Sequence, residues 1–545
     1  MDRRTIVAIV LASLVLLTYQ FVFAPKHQQD SGESSEATTR LPTSTETTPP
    51  TPTLGAASIP ATETGAGTNT LLGDSAALVP EDVQSPLYLA TVDPAGGVLS
   101  GWQLADYTDF EDRPADLVAD PSAGLFELSL INGPTRIDLH RVPFVIQKSR
   151  VDGRERVTLH AEDPAGWKVS LNYVFAEDQY SCRVDLSTSG FPAGTDVELS
   201  FPKGLPRLEK VAKMDHQSAA TLAMIDNHLV KHRGQKKEGW STSESGAIRW
   251  VGARSKYFLA AAIFEEGTTG TYEAVGEGQT GSSSVRTTAR VPLDPSGALG
   301  FRLYSGPLEL HRLESYGVRL DQAVDLGWKP IVPFSRLLLA CMNFLYSVIP
   351  NYGLAILILS VVTKVAFYPL TRKSLVSMRE MQKLKPQIDE INAKYKDDAQ
   401  RKQQAMMEMY RTNKINPLGG CLPMVIQMPV FVALYNVLAN SVQLRKEPFV
   451  LWINDLSSPD LIGTVMGFPI HVLPLLMALT MVLQQRLQPV DPRQAVIGYV
   501  MPIMMLVFFY MLPSGLVFYW TINNVLQVGQ QLIINRESGQ QLAAA

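Results

Sequence analysis

The segment from Asn351 to Leu370 constrains the fold more than any other stretch of this chain. It reads NYGLAILILSVVTKVAFYPL, and a helix needs about 20 mainly apolar residues to cross a bilayer core ~30 Å thick. One charged residue, Lys364, interrupts the apolar pattern. Because a charge inside a membrane costs at least about 2.5 kcal/mol, the segment predicts a membrane helix whose lysine needs a polar environment.

Two interpretations of Lys364 remain open. Its side chain could snorkel toward Arg372, which marks the cytoplasmic end of the predicted helix about 12 Å away. The Cα–Cβ bond, however, points toward the helix N-terminus and therefore deeper into the membrane. Ser360 lies one turn away on the same face, so a polar cavity is the favoured interpretation. The acidic residues between 418 and 534 fall in predicted loops, so we expect no fixed buried ion pair.

The N-terminal region predicts an anchor and a tether. An apolar run at residues 6–23 follows two arginines. A signal peptide would explain it, but the proline after the possible cleavage site at Ala24 should impede cleavage. We therefore predict an uncleaved transmembrane anchor at residues 1–24 with a cytoplasmic N-terminus. Residues 25–82 are rich in Ser, Thr and Pro and too poor in large apolar residues to form a core, so they predict a disordered linker.

Residues 83–325 carry short alternating apolar runs. Turn signals such as Pro94-Ala95-Gly96-Gly97 and Val151-Asp152-Gly153 separate the runs. Many short strands with turns between them predict an antiparallel β-sandwich. Its position between two predicted membrane helices places it on the outer side of the membrane. The candidate strands are Leu125–Ile131, Val157–Ala161, Trp167–Phe175, Tyr180–Leu186, Val197–Phe201, Phe258–Phe264, Thr271–Val275, Val285–Val291 and Phe301–Tyr304.

Residues 328–349 predict an amphipathic helix at the outer membrane interface. Phe334, Leu337 and Leu345 recur at helical spacing between polar interruptions. The alternative is that this segment extends the next membrane helix, at residues 351–370. Pro350 favours a break between the two.

Residues 371–417 form a hydrophilic block with eleven Lys or Arg and six Asp or Glu. Leucine, isoleucine, methionine and tyrosine recur at helical spacing on both sides of Lys396-Asp397-Asp398, so the block predicts a cytoplasmic helical hairpin. Its basic face is open to three interpretations, which are contact with anionic lipid, contact with ribosomal RNA and a merely solvated surface.

Residues 418–534 predict transmembrane helices 3–6. The joint at Leu512-Pro513-Ser514-Gly515 is short enough to be a tight outer turn. Basic residues concentrate in the hairpin and in the loop with Arg486 and Arg493, which places both termini, including the tail at residues 535–545, in the cytoplasm. The four apolar segments are Leu422–Leu438, Ile470–Leu483, Val496–Met511 and Leu516–Ile534.

No constellation in the sequence indicates an enzyme, a metal centre or a cofactor. The chain lacks a phosphate-cradling loop, histidines at zinc-ligand spacing and a nucleophile elbow. Its three cysteines, Cys182, Cys341 and Cys421, are far apart, so they predict neither a disulfide framework nor a metal cluster.

Polar residues inside the predicted helices are the stronger functional signal. Gln427 lies early in the third helix, and several polar or aromatic side chains recur at helical spacing in the sixth. A single polar residue in a membrane helix is often only interhelical glue, but this set together with the lysine predicts a hydrated concavity that opens inward. The candidate groove residues are Ser360, Lys364, Gln427, Tyr519, Trp520 and Asn524.

Three motifs follow one another in the second half of the chain. They are Lys364-Val365-Ala366-Phe367-Tyr368-Pro369-Leu370-Thr371, Asn416-Pro417-Leu418-Gly419-Gly420-Cys421-Leu422-Pro423 with Gln427-Met428-Pro429 and Leu434-Tyr435, and Leu512-Pro513-Ser514-Gly515-Leu516-Val517-Phe518-Tyr519-Trp520. These motifs resemble those of the YidC family of membrane protein insertases. The match covers roughly residues 328–534, and the outer region is similar to that of Gram-negative members, which carry a large periplasmic β-supersandwich after an uncleaved first helix.

The resemblance implies a polytopic α-helical membrane protein with six transmembrane helices, five of them a family core, and an all-β periplasmic supersandwich domain. It implies an insertase and chaperone of the bacterial inner membrane, which is not an enzyme and needs no cofactor. The hydrophilic groove is expected to open to the cytoplasm and the lipid and to be closed to the periplasm. The implied partners are nascent membrane proteins, ribosome–nascent chain complexes, the Sec translocon and membrane lipids.

The resemblance also assigns roles to single residues. A basic residue, usually arginine, stands in the family where Lys364 stands here, and a lysine can lose its charge by deprotonation, which arginine resists. Gln427 and Trp520 match groove positions, while Ser360 and Trp520 match positions expected to meet the client helix. The tail lacks the basic extension of some members, so we do not expect ribosome docking through it.

Two other function classes compete with this hypothesis. A transporter or channel would show charge pairs or inverted repeats, and neither is visible in the sequence. Alternatively, the outer sandwich could itself be an enzyme or a sugar binder, because similar folds bind carbohydrate. Fold alone does not establish such a function.

Overall fold

A computed structural model describes residues 79–543 of the 545, except 165, 210–217, 235–238, 277–284, 397, 414–421 and 488–494. The predicted anchor and nearly all of the predicted linker lie outside these described residues. The chain divides into two compact units, one made of residues 72–371 with 423–545 and the other containing residues 372–422. The first unit holds a β domain and a helix bundle.

The β domain begins with a small antiparallel sheet of four strands in sequence order. Tyr88 and Trp102 on its inner face stack with ring centroids 4.2 Å apart, and the Tyr88 hydroxyl donates to the Ala176 carbonyl at 2.8 Å. These contacts fix the small sheet against the rest of the domain. Its strands are β1 (Glu81–Gln84), β2 (Tyr88–Asp93), β3 (Val98–Thr108) and β4 (Pro114–Asp116).

A second, much larger sheet forms most of the domain. Alternation of buried and less buried residues is clear in the strand Lys168–Phe175, where Val169, Leu171, Tyr173 and Phe175 are buried, as expected for a strand with one face on a core. The strands are β5 (Glu127–Asn132), β6 (Thr135–Asp138), β7 (Val145–Val151), β8 (Arg154–Glu162), β9 (Lys168–Phe175), β10 (Ser181–Ser189), β11 (Asp196–Phe201), β12 (Ala220–Ile225), β13 (His228–Arg233), β14 (Trp240–Arg254), β15 (Phe258–Phe264), β16 (Thr269–Gly276), β17 (Val285–Pro292) and β18 (Ala298–Pro307).

The long strand β14 connects the two halves of this sheet. Its first half, from Trp240 to Ala247, pairs with β16, and its second half, from Trp250 to Arg254, pairs with β15. One half-sheet therefore has the order β6-β5-β11-β17-β16-β14, and the other continues β14-β15-β18-β10-β9-β8-β7, with β12 and β13 beside β14.

The two half-sheets pack face to face across one hydrophobic core. Phe126, next to β5, meets Phe301 of β18 edge to face with ring centroids 5.7 Å apart. The hydroxyl of Tyr272 on β16 donates to Thr221 Oγ1 on β12 at 2.9 Å. This layered arrangement confirms the predicted all-β domain, and each of the nine candidate strands overlaps an observed strand.

Helices follow the β domain. Pro333 lies in the first turn of the helix Val332–Val348, where its missing N–H costs no hydrogen bond, and the Asn351 side chain accepts from Leu354 N at the start of the next helix. The helices are α1 (Leu310–Glu314), α2 (Val332–Val348), α3 (Tyr352–Ala366), α4 (Tyr368–Lys383), α5 (Lys385–Lys394), α6 (Ala399–Thr412), α7 (Leu422–Asn440), α8 (Val472–Leu487), α9 (Ala495–Phe509) and α10 (Ser514–Ala543).

Helices α2, α3, α7, α8, α9 and α10 enclose a second hydrophobic core. Helix α3 packs against α2 and α10, and α8 packs against α9 and α10. The shared buried residues include Ile356 of α3, Leu434 and Val437 of α7, Met477 of α8 and Val517 of α10. The bundle therefore has an interior separate from that of the β domain.

Helices α4 to α6 belong mainly to the second unit. Helices α5 and α6 contact each other, and the Asp398 carboxylate accepts from Arg401 N at 2.9 Å and so caps α6. The predicted hairpin turn at Lys396-Asp397-Asp398 lies between these two helices, although Asp397 itself is not among the described residues.

Within the described ranges, no single helix combines the length and the apolar character of a membrane span. One bent pair, Tyr352–Ala366 with Tyr368–Ser374, meets both criteria together across a bend of 58°.

Candidate functional site: a polar cluster inside the helix bundle

Lys364 lies in the last turn of α3 and is partly buried. Its Nζ donates to Oε1 of Gln527 on α10 at 2.8 Å. In the described part of the chain we find no carboxylate paired with it. Its hydrogen-bond partner is therefore a neutral amide, which carries no charge to balance the ammonium group.

Tyr519 lies two helical turns before Gln527 on the same face of α10. Its ring is buried, and its hydroxyl faces the side chains of Thr363 on α3, Gln427 on α7 and Asn523 on α10. Among the described residues, however, no hydrogen bond of good geometry reaches this hydroxyl or the Asn523 Oδ1 atom. Three helices thus direct polar groups into one region of an otherwise apolar core.

Two further predicted groove residues have partners other than the lysine. The Ser360 hydroxyl is buried and donates to the Ile356 carbonyl of its own helix at 2.7 Å. The half-buried Trp520 ring packs between Phe431 and Phe509, with centroids 4.9 and 5.2 Å away. The Ser360 hydroxyl thus bonds to its own helix and the Trp520 ring packs against two phenylalanine rings, and neither contact includes the lysine.

Asn524 bonds to α8 and not to the helix that carries the lysine. Its Nδ2 donates to Thr480 Oγ1 of α8 at 3.3 Å. Of the six predicted groove residues, the structure therefore brings Gln427 and Tyr519 close to the α3 turn that carries Lys364. Ser360 lies on that same turn but bonds within its own helix, and Trp520 and Asn524 contact other helices.

Sequence reasoning did not single out Gln527 as the partner of the lysine. The signal is present in the spacing, since Tyr519, Asn523 and Gln527 recur at intervals of four and so share one helix face. Thr363, next to Lys364 in the sequence, is likewise brought to Tyr519 by the packing of α3 against α10. Which helix this face meets cannot be read from one segment, because it depends on how α3 and α10 pack.

The opposite end of the bundle is covered by the segment between α7 and α8. Ser514 N donates to the Ser458 carbonyl at 2.8 Å, and Gly515 N donates to the Leu456 carbonyl at 3.0 Å. The Ser514 hydroxyl donates to the Asp455 carbonyl at 2.6 Å. Because Leu456 is fully buried, this segment closes the bundle where α10 begins.

The start of α8 is fixed by one carboxylate from the same segment. Asp460 Oδ2 accepts from Val472 N at 2.8 Å, Leu473 N at 2.7 Å and Trp452 Nε1 at 3.1 Å. These bonds satisfy N–H groups that a helix leaves without partners at its N-terminus. The closing segment is therefore bonded directly to the first turn of α8.

The described residues of the cluster carry polar groups that can donate or accept hydrogen bonds. It offers amides, hydroxyls and one ammonium group, with no nucleophile–base pair among them. No group of His, Cys, Asp and Glu side chains suited to hold a metal ion occurs within the described ranges.

Comparisons with known proteins identify the family. The family model described as "YidC periplasmic domain" matches residues 82–334, and the model described as "60Kd inner membrane protein" matches residues 344–541. The membrane protein insertase YidC of Pelobacter propionicus is 33% identical over 561 residues, covering 98% of this chain and 99% of that protein. The chain belongs to the YidC family of membrane protein insertases. The YidC of Syntrophus aciditrophicus agrees, being 33% identical over 574 residues and covering 99% and 100% of the two chains.

Family membership confirms the resemblance inferred from the motifs. It makes the chain a bacterial inner-membrane protein whose β domain is the periplasmic domain. The boundary between the two matched regions, at residues 334–344, falls within α2.

Solved structures give weaker comparisons. A crystal structure of an active YidC insertase is 18% identical and covers 83% of this chain and 91% of its own, with a TM-score of 0.38. A putative aldose 1-epimerase from Escherichia coli is 9% identical and covers 42% of this chain and 98% of its own, with a TM-score of 0.28. TM-scores this low do not support a functional conclusion, so the epimerase gives no reason to assign sugar chemistry to the β domain.

Proposed function

We propose that the chain inserts nascent membrane proteins into the bacterial inner membrane through a hydrophilic groove built around Lys364. The observation that carries this proposal is the placement of polar groups from α3, α7 and α10 in one region of an apolar bundle, together with a covered opposite end. The relatives named above are membrane protein insertases, which supports the same activity here.

The proposal includes a topology. Six transmembrane helices cross the membrane, namely the N-terminal anchor, α3, α7, α8, α9 and α10, with both termini in the cytoplasm. The density of lysine and arginine at residues 371–417 supports this orientation by the positive-inside rule. Helix α2 lies in the outer interface, because Phe334, Leu337 and Phe344 are exposed on it while Leu338 and Met342 are buried.

The mechanism follows from the cost of moving polar groups through lipid. A client with a short polar N-terminal segment must carry that segment across a low-dielectric layer. Water and amides around Lys364 lower this cost, and the positive charge attracts an acidic segment. The apolar stretch of the client then leaves sideways into lipid, driven by burial worth ~25 cal/mol per Å².

The same groove supports a chaperone role, because a partly folded client helix finds hydrogen-bond partners there before it packs. We propose that the protein acts alone on short clients and with the Sec translocon on longer ones. Ribosome–nascent chain complexes deliver the clients from the cytoplasmic side, where the basic hairpin at residues 371–417 meets ribosomes or anionic lipid.

Photo-crosslinking tests the groove. A photoreactive amino acid at Gln427, which is half-buried beside Tyr519, should crosslink to the transmembrane segment of a ribosome-stalled single-span client. The matched control is the same amino acid at Leu479 on the exterior of α8, which is 65% exposed.

We expect client adducts at Gln427 and none above background at Leu479. Equal adduct yields at both positions would contradict a defined groove, because they would show that clients contact the bundle at random. Insertion by the purified chain in liposomes, without an energy source, tests the activity separately.

A further inference from the structure

A short β-hairpin on the covered side of the bundle is not explained by the insertase function. Strands β19 (Gly463–Val465) and β20 (Phe468–Ile470) pair with each other and with no other strand among the described residues. The turn between them exposes large apolar side chains, with Met466 at 95% and Phe468 at 76% of full exposure. Such surface is expensive in water, so something apolar should cover it.

This apolar tip is held in place by its base. Ile462 N donates to the Ile470 carbonyl at 3.1 Å, and the hydroxyl of Tyr510, the residue after α9, donates to the Pro469 carbonyl. His471 Nδ1 lies 2.6 Å from the Asp460 carbonyl. These contacts hold the base of the hairpin against the neighbouring segment and the end of α9, and the tip projects from this base.

The residue at the first central position of the turn is unusual for its backbone conformation. Met466 has φ of 51° and Gly467 has φ of 81°, so both central residues are left-handed, as in the two-residue type I′ turn of a hairpin. Asn-Gly or Asp-Gly is the favoured pair for such turns, because these residues tolerate positive φ. A methionine in this left-handed conformation is strained in its backbone. It places an apolar side chain at the tip of the turn.

The sequence around the hairpin indicates the occupant. From Leu461 to Gln485 the chain has no Asp, Glu, Lys or Arg. The hairpin leads through His471 directly into α8, whose exterior carries the exposed row Leu475, Leu479 and Leu483. An uncharged, apolar exterior therefore runs from the helix into the hairpin.

We infer that this hairpin inserts its tip into the outer leaflet of the bilayer, with Met466 and Phe468 among the acyl chains near the headgroups. The backbone edges of a two-stranded hairpin still find hydrogen-bond partners at that depth, which they would lack in the bilayer centre. Trp452 and Tyr510, which bond to the segment at its base, are residue types that favour the same interfacial level. The inference rests on the membrane-embedded bundle proposed above.

Spin-label accessibility tests this inference in the full chain. Cys341 and Cys421 are replaced by serine, the buried Cys182 is kept, and a nitroxide is attached at Met466→Cys. The protein is reconstituted in vesicles of phosphatidylethanolamine and phosphatidylglycerol, and collisions with oxygen and with a water-soluble nickel chelate are measured. We expect strong oxygen broadening and loss of nickel broadening.

Three further labels make the result decisive. Val145→Cys on the edge strand β7 is 60% exposed and should show the reverse pattern. Val465→Cys, also exposed on the hairpin, repeats the test should Met466→Cys misfold. Leu479→Cys reports whether α8 itself is embedded.

A nickel-accessible label at Met466→Cys with a lipid-embedded label at Leu479→Cys would overturn the hairpin inference alone. Nickel access at both would overturn the proposed membrane topology instead. Protection from both reagents, with dipolar coupling between labels on separate molecules, would show that a second copy covers the tip, which also rejects the lipid contact.

Discussion

At the scale of single residues, Lys364 combines a position in an apolar helix with a neutral partner. Gln527 accepts its hydrogen bond, but an amide does not neutralise the charge. An ammonium group bonded to a neutral amide still attracts an anionic group of a client, whereas an ammonium group in a fixed ion pair would not. Compared with an arginine at this position, the lysine carries the same charge but lacks the planar fork of donors.

Lys364→Leu is expected to impair insertion of clients with an acidic translocated segment most, because it removes both the charge and the water-attracting polarity. Clients that differ only in having a neutral segment should lose less, and Lys364→Arg should preserve insertion of both. The measurement is the translocated fraction of each client in cells supplied solely with each variant. If the lysine merely snorkels, Lys364→Leu will leave both clients unaffected.

Asp325 shows what a buried charge does in the β domain. Its carboxylate lies 2.9 Å from Lys231 Nζ, 3.2 Å from Arg233 Nη2 and 3.8 Å from Arg254 Nη2. Burial alone would raise the pKa of Asp325, but Lys231 and Arg254 outweigh burial and hold that pKa well below its usual range. Burial, with Arg254 beside it, lowers the pKa of Lys231 to about 8.

Asp325→Asn is expected to destabilise the β domain by about 3 kcal/mol, because removing one partner of a buried ion pair leaves uncompensated charge. A depressed carboxyl pKa stabilises the fold at pH values above the unfolded pKa of about 3.9, and this stabilisation is lost as pH falls below it. The wild type should therefore lose more stability than the variant between about pH 4 and pH 2.

Thermal unfolding of the full chain in detergent measures both effects. Glu162→Gln is the control, because its ion pair with Lys168 at 2.8 Å is exposed on both sides and should contribute less than about 1 kcal/mol. Equal melting temperatures for Asp325→Asn and Glu162→Gln at pH 7 would argue against the buried cluster.

At the scale of elements, the start of α8 depends on a distant residue. The sequence predicts this helix at Ile470–Leu483, whereas it runs from Val472 to Leu487. The Asp460 carboxylate sets where the helix begins, because it accepts from Val472 N and Leu473 N although the β-hairpin separates these residues from it in the sequence. The first turn of α8 therefore depends on a side chain of the closing segment.

Asp460→Ala should cost about 1–2 kcal/mol by removing the cap and should loosen the segment that closes the bundle. Hydrogen–deuterium exchange of the peptides covering 452–473 should become faster, while exchange in the β domain stays unchanged. Asp460→Asn keeps an acceptor oxygen and should exchange almost as the wild type does. Equal exchange in Asp460→Ala and wild type would show that the cap does not hold the segment.

At the scale of the whole molecule, the β domain and the bundle are joined through the segment after α7. Arg445 is buried and donates to Glu209 Oε1 at 2.6 Å and to the Leu208 carbonyl at 3.2 Å. Val442 belongs to the core of the β domain. Asn440 Nδ2 also donates to the Asp325 carbonyl at 3.0 Å. These contacts fix the β domain above the covered end.

Arg445→Met is expected to loosen this junction, because it leaves the Glu209 carboxylate without its buried partner at a cost of about 3 kcal/mol. The spin–spin distance distribution between labels at Val145 in the β domain and Leu479 in the bundle should broaden. Arg445→Met combined with Glu209→Gln should recover part of the lost order. Distributions as narrow as the wild type in the single variant would show that the other contacts suffice.

The sequence by itself determined the family, the all-β outer domain and the apolar helices, because alternation, helical periodicity and linear motifs are local signals. Strands such as β14, with its polar first half Trp240–Ala247, gave no such signal, and their place depends on the partners they meet in the sheet. Only the tertiary structure decided which polar side chains meet. Lys364 lies 163 positions from Gln527 along the chain, and no local pattern encodes which helix faces another, since this is set by the packing of all the apolar surfaces together.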